Sequence, residues 1–296
     1  MLFFLVFRFS PLKEDKILFI EKGKNLKDIS ILLEKNNIII NQIFLYSYFR
    51  LLGDDKNIKA GEYLFEKNIS LFNVIKTLKK SEAVYRKITI PECLTTFEVT
   101  EILKKNKFIS GKIQVMPSEG DLFPETYYFL RNTNINDILL RMQAKMKDKI
   151  NKVWKNNYKH FETKSDLIIL ASLIEAEAKT KYDKYLVSSV FHNRLKKNMK
   201  LQSDPSVLYK KNLFKIEKDL KIYKKDLKNN NPWNTYTRKG LPLTPICNPG
   251  IDAIKAAANP YVSDYLYFVS DGKGGHRFST NLKSHKHNIK LWKNNE

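Results

Sequence analysis

The chain has 296 residues, of which 43% are hydrophobic and 12% aromatic, enough to bury the core of one large domain or two ordinary ones; this excludes a disordered polymer. The formal net charge of +22 points to an anionic partner: nucleic acid, a membrane surface or an acidic polymer. Lysine is spread through nearly every segment, which fits a solvated surface as well, and no helix-turn-helix, zinc finger or aromatic RNA-binding strand motif accompanies the charge.

The chain opens on "MLFFLVF", an apolar run stopped by Arg8 and Pro11. A membrane span needs about 20 such residues and a signal peptide a charged segment in front, so residues 1–15 read as a first strand or the remnant of a membrane anchor. From Lys16 to Lys87 the pattern is that of a small unit. "ILFIEKG" reads as a strand turning at Gly23, and "NLKDISILLEKNN" as a helix with Asn25 as N-cap. "NQIFLYSYFRLLG" reads as a second helix closed by Gly53, "GEYLFE" as a short strand, and "SLFNVIKTLKK" as a helix capped by Ser70.

Residues 88–296 read as a larger mixed domain. "RKITIPE" alternates like a strand, "TTFEVTEILKKN" predicts a helix, and "EGDLFPETYYF" predicts an aromatic loop. "NINDILLRMQAKMKDKINKVW" is a long amphipathic pattern. An apolar helix then starts at a cap on Ser165 or Asp166 and runs from Leu167 to Ala178. "KYLVSSVFHNRLKK" predicts another amphipathic helix, with Leu186, Val187, Val190, Phe191 and Leu195 on its apolar side. Beyond Gln202, Pro and Asn punctuate the chain as turn signals, with one helix at "GIDAIKAAAN", one strand at "DYLYFVS" and a hairpin turn at "GKGG". Lys210–Asn231 is lysine-rich and reads as a surface insertion.

The chemistry-bearing candidates are few. Glu175 and Glu177 follow the apolar run "LIILASLI". A carboxyl against apolar surface holds its proton toward neutrality, as a general acid must. The competing reading is a frayed helix end in which both pair with Lys179 or Lys181, and spacing alone does not choose. Cys93 and Cys247 lie far apart and show neither disulfide nor metal-ligand spacing. His160, His192, His276, His285 and His287 form no metal pattern, and "GKGG" lacks phosphate-loop spacing, so no cofactor is expected. Asn193, Gln202, Asp204, Asn234, Tyr236, Asn248 and His276 fall among turn residues, where amide and phenol groups suit a glycan or merely shape the turns.

Several ordered blocks resemble the endolytic murein transglycosylases of the YceG-like family: "GDLFPETYYF", "LIEAEA", "SSVFHNRLKKNMKLQSDPSVLY", "NTYTRKGLPLTPICNPGIDAIKAAANP", "DYLYFVSDGKGGHRFS" and "LKSHKHN". They span most of Ile88 to Asn288. The resemblance implies an α+β chain in which a LysM-like subdomain over 16–87 precedes a catalytic domain over 88–296. It implies an enzyme that cuts nascent peptidoglycan strands internally at the bond from N-acetylmuramic acid to N-acetylglucosamine, without water, leaving 1,6-anhydro ends. It places the catalytic acid on the first glutamate of an E-x-E motif, Glu175, with Glu177 and the polar residues above in support. It also implies a plasma-membrane location with the catalytic domain on the outer side, near peptidoglycan synthases, and no nucleic-acid partner. Three departures stand out. "MLFFLVF" stands where the family has a full membrane helix, Ala178 where a Thr is usual, and Cys93 where a Gly is usual. Ala178 leans toward an alternative, a catalytically inactive glycan binder; the net charge alone leans toward a basic nucleic-acid binder.

Overall fold

A computed structural model describes residues 11–52, 58–80, 84–154, 161–211 and 221–294. The "MLFFLVF" run, Gly53, His160 and residues 212–220 of the lysine-rich insertion lie outside the described residues. Among the described residues no helix is long and apolar enough to cross a membrane. The chain is α+β and divides into two compact units, Met1–Ile88 with Tyr128–Thr133, and Thr89–Tyr127 with Asn134–Glu296.

The first unit contains β1 (Lys16–Ile20), α1 (Leu26–Lys35), α2 (Gln42–Leu52), β2 (Gly61–Phe65) and α3 (Leu71–Lys80). β1 and β2 pair antiparallel, Lys16 opposite Phe65 and Ile20 opposite Gly61. Asn25 caps α1 through a reciprocal box: its Oδ1 accepts from the Asp28 amide at 3.0 Å, and Asp28 accepts from the Asn25 amide. Ile20, Leu33, Leu45, Phe49, Tyr63, Phe65 and Leu78 close the core of this unit.

In chain order there follow β3 (Arg86–Thr89), α4 (Thr96–Lys105), β4 (Ile109–Ser110), β5 (Thr126–Phe129), β6 (Thr133–Asn134) and α5 (Ile135–Trp154). β3 pairs with β5, so the end of the expected aromatic loop is a strand. The second unit then continues with α6 (Lys164–Glu177), α7 (Lys181–Lys196), α8 (Asp204–Lys211), α9 (Lys224–Lys228), α10 (Ile251–Ala258), β7 (Tyr267–Ser270), β8 (His276–Ser279) and α11 (Leu282–Lys293).

Helix α6 is the spine of this unit. Every residue from Leu167 to Glu175 is buried, so it is a core helix covered on all sides rather than an amphipathic one. Its cap is Thr163, earlier than Ser165 or Asp166: Thr163 Oγ1 accepts from the Asp166 amide at 3.1 Å, and Asp166 returns a bond to the Thr163 amide. Asp166 is thus the third residue of a capping box and not the cap itself. The C-terminal end is not frayed. Ala178 is 1% exposed and packs in the core cluster, and Thr180 caps α7 almost at once.

Helix α7 departs from the amphipathic expectation. Asp183, Lys184, Ser188, Ser189 and Arg194 are buried alongside Val187, Val190 and Phe191. Buried polar groups must be partnered, and for Ser188 and Arg194 the partners are carbonyls of the later chain. Ser188 Oγ donates to the Ala256 carbonyl at 2.7 Å, and Arg194 Nε to the Leu266 carbonyl at 2.7 Å. The polar face of α7 is therefore the mortar for α10 and for the antiparallel β7–β8 hairpin, in which Tyr267 faces Ser279 and Ser270 faces His276.

Candidate active site

The two glutamates at the end of α6 have different surroundings. Glu175 is 9% exposed, and both of its oxygens are occupied. Lys184 Nζ of α7 donates to Oε1 at 2.6 Å, and the Gly250 amide donates to Oε2 at 3.0 Å. Lys184, 4% exposed, also reaches Glu92 Oε2 at 3.2 Å. Burial alone would lower the Lys184 pKa; the hydrogen bond and charge of Glu175, with those of Glu92, outweigh it and hold the ammonium charged. Burial raises the Glu175 carboxyl, while Lys184 and the Gly250 amide pull the other way. Gly250 admits this closure because it lacks a side chain: a Cβ there would fall 1.7 Å from Glu92 Oε1.

Glu177 instead lines a cleft of about 520 Å³. Its Oε1 accepts a hydrogen bond from Ser203 Oγ at 2.6 Å. Burial pushes its pKa up to about 7; Ser203 opposes the rise, the negative charge of Asp204 adds to it, and the guanidinium of Arg194 opposes it. Ser203 is held in turn, its amide donating to Thr235 Oγ1 at 2.8 Å and its carbonyl accepting from Ser206 Oγ at 2.6 Å. The other walls come from Arg194, Gln202, Asp204 and Tyr236, from the β7–β8 hairpin through Tyr267, Phe268 and His276, and from His285 and Trp292 of α11. Tyr267 lies 5.2 Å from the Arg194 guanidinium on one side and stacks on His285 at 5.0 Å. The site thus offers one proton donor tuned to neutrality, a cation near it and an aromatic wall.

The candidates from the sequence divide into two groups. Glu177, Gln202, Asp204, Tyr236 and His276 come together on the cleft. Tyr236 donates its hydroxyl hydrogen to Asp204 Oδ1 at 2.5 Å, and His276 Nδ1 lies 3.3 Å from Asp183 Oδ2. Asn193, Asn234 and Asn248 are not cleft-lining residues, and each is spent on the backbone. Asn193 lies in α7, not in a loop, and donates to the carbonyls of Ser263 at 2.7 Å and Tyr265 at 2.9 Å. Asn234 is buried and donates to the Asn229 carbonyl at 2.7 Å, shaping the turn that presents Tyr236. Asn248 is buried between the Leu94 carbonyl at 2.9 Å and the Leu122 amide at 2.8 Å. Asp204 and His276 also leave the expected loops: the first opens α8 and the second opens β8. Ala178 does not leave a gap in the cleft, because its methyl group packs in the core.

Comparison with known proteins bears on this arrangement. The model of the YceG-like family matches residues 18–291. The chain belongs to the YceG-like family. It is 30% identical over 298 residues to the endolytic murein transglycosylase of Bacillus subtilis strain 168, covering 90% of this chain and 81% of that protein. It is 27% identical to the endolytic murein transglycosylase of Streptococcus pneumoniae D39, covering 91% of this chain but only 57% of that longer protein. A 2.6 Å crystal structure of a YceG-like protein from Listeria monocytogenes matches with a TM-score of 0.58 at 29% identity, covering 93% of this chain and 99% of that one. In this YceG-like chain, sequence reasoning missed Lys184, Arg194, Ser203 and the aromatic wall. Lys184 had no readable signal, since it reaches Glu175 across the turn between two helices. The alternation in "YLYFVS" was readable as a strand, but not as one whose rings line a site.

Proposed function

We propose that this chain is an endolytic peptidoglycan lytic transglycosylase in which Glu177, not Glu175, carries the proton. The observation behind the choice is that Glu177 lies in the cleft wall with a carboxyl poised near pH 7, whereas both oxygens of Glu175 are engaged by Lys184 and Gly250. The names of the relatives support the substrate and reaction class.

Protonated Glu177 gives its proton to the glycosidic oxygen between N-acetylmuramic acid and N-acetylglucosamine. The bond from the muramyl C1 to that oxygen breaks, and the N-acetylglucosamine end leaves as an alcohol. The muramyl 6-hydroxyl then attacks C1, and its proton passes to the Glu177 carboxylate as the 1,6-anhydro ring closes. No water enters, and the acid is restored. A hydrolytic glycosidase needs a second carboxylate to activate water or attack carbon; here the tethered hydroxyl fills that place, and proximity supplies the advantage. Arg194 favours the transient Glu177 carboxylate, and Ser203 orients it. Glu175 is assigned a structural role, fixing the end of α6 against α7 and the segment before α10.

A peptidoglycan substrate suits a catalytic unit outside the plasma membrane, beside the synthases that supply nascent strands; the first unit is assigned the LysM-like task of holding glycan. Digestion of purified peptidoglycan by the full chain, with mass analysis of the products, tests the reading. Internal cuts with 1,6-anhydro ends are expected. Hydrolysed reducing ends, heavier by one water, or intact strands, overturn it.

A further inference from the structure

Cys93 and Cys247 stand 154 positions apart in sequence, yet their sulfurs are 2.7 Å apart. Two non-bonded sulfurs at ordinary contact stand farther apart, and a disulfide needs about 2.04 Å, so closing the bond asks for well under an ångström of movement. The backbone is already set for it: the Cys93 amide donates to the Asn248 carbonyl at 3.0 Å, and the Asn248 amide donates to the Leu94 carbonyl at 2.9 Å. The backbone at Cys93 is one that suits glycine. Its φ is +62°, the left-handed region that favours glycine, so a side chain there is held at some conformational cost. Cys93 is half-buried beside exposed Glu92, whereas Cys247 is fully enclosed.

We propose that Cys93 and Cys247 are a reversible redox site, closed to an intrachain disulfide by thiol–disulfide exchange with a low-molecular-weight disulfide. The Cys93 thiolate attacks one sulfur of the small disulfide, which leaves as a thiolate, and a mixed disulfide forms on Cys93. The Cys247 sulfur, once its proton has passed to that thiolate, attacks Cys93 Sγ and expels the second small thiolate, which takes up the proton that Cys93 released to solvent. Two protein thiols and one small disulfide thus become one protein disulfide and two small thiols. The order follows from access: only Cys93 meets a reagent, and Cys247 resolves. The bond joins the turn carrying Glu92 to the segment carrying Asn248 and Gly250. Glu92 pairs with the Lys184 that holds Glu175, and Gly250 donates to Glu175 directly. Oxidation therefore fastens the mounting of Glu175 from both sides, and the site stands whether or not the chain cleaves glycan.

The test uses the full chain, reduced and desalted, then incubated with oxidised glutathione. Loss of two hydrogens by intact mass is expected, with both thiols blocked to alkylation, no retained glutathione, and recovery on adding dithiothreitol. Tm should rise by roughly 5–10 °C, because the bond closes a very long loop. Cys93→Gly suits the backbone at that position, so it should fold while showing neither the mass loss nor the thermal shift. A stable glutathione adduct on Cys93 with Cys247 still free, two unreacted thiols, or disulfides only between chains overturns the proposal.

Discussion

Glu175 and Glu177 are two residues apart on one helix, about 200° around its axis, and that rotation separates a closed ion-pair clamp from an open cleft wall. Glu175 meets a lysine and a backbone amide that fill both oxygens. Glu177 accepts from a hydroxyl, Ser203 Oγ, and shares the cleft with an acid, Asp204, that raises its proton affinity. In the proposed mechanism the same buried helix end yields a structural carboxyl and a working acid. What separates them is the partner each one finds, not the apolar run both follow.

The largest effect belongs to the cleft side. Glu177→Gln should cut release of anhydro ends about 10²- to 10⁴-fold, the usual worth of a positioned general acid, with Tm retained. Glu175→Gln should lose stability first, and any folded fraction should still turn over. Full activity in Glu177→Gln, with loss confined to folded Glu175→Gln, would exchange the two roles.

The next effect belongs to the clamp. Lys184→Met leaves Glu175 buried without its cation and should cost about 3–5 kcal/mol in urea unfolding. The double variant Lys184→Met/Glu175→Leu should recover most of that, since replacing a buried pair by apolar residues is often neutral. A cost below about 1 kcal/mol for the single variant would mean that the pair is not closed in solution.

These contrasts also mark how far the sequence could be read. Periodicity found α1, α3, α5, α10 and the apolar α6, because each carries its own hydrophobic pattern. It misplaced the start of α6 because Thr163 and Asp166 act as a reciprocal pair, and either alone resembles a cap. Asp204-Pro205 was read as a turn, although Pro in the first turn also opens a helix, as it does in α8. α7 looked amphipathic because its polar residues resemble a solvated face; their carbonyl partners lie some 70 residues away, and no local pattern announces them. Of the site, the two acids and the cleft residues Gln202, Asp204, Tyr236 and His276 were legible as candidates. Which of the two acids faces the cleft depends on Lys184, Gly250 and Ser203, which reach the helix end from separate segments.

Two amides sharpen the comparison at smaller scale. Asn248→Ala removes the acceptor of the buried Leu122 amide and one of the two donors to the Leu94 carbonyl, and should cost about 2 kcal/mol of stability. Gln202→Ala removes a side chain from the cleft wall and should change stability by less than about 0.5 kcal/mol, while raising the glycan concentration needed for half-maximal rate. Equal stability losses for the two would dissolve the division between backbone-holding and cleft-lining amides.

The smallest expected effect is on pH dependence. With Glu177 held up to about 7, the rate on glycan should fall as pH rises through that value and the carboxyl loses the proton it must donate. The same shift acts on folding with a definite sign. A carboxyl whose pKa is raised from 4.5 in the unfolded chain to about 7 in the fold favours the native state at low pH, and that contribution is lost as pH climbs from 4.5 through 7. Glu119, raised mainly by burial to about 7, adds a term of the same sign. Glu177→Gln should therefore flatten part of the stability decline over that window and leave the Glu119 part in place. Asp204→Asn removes a charge that raises the Glu177 pKa, so the alkaline limb of the rate should move to lower pH. Because burial is the larger cause, the displacement should stay below about one unit. An alkaline limb that does not move in Asp204→Asn would place the titrating acid away from Asp204, and so away from Glu177.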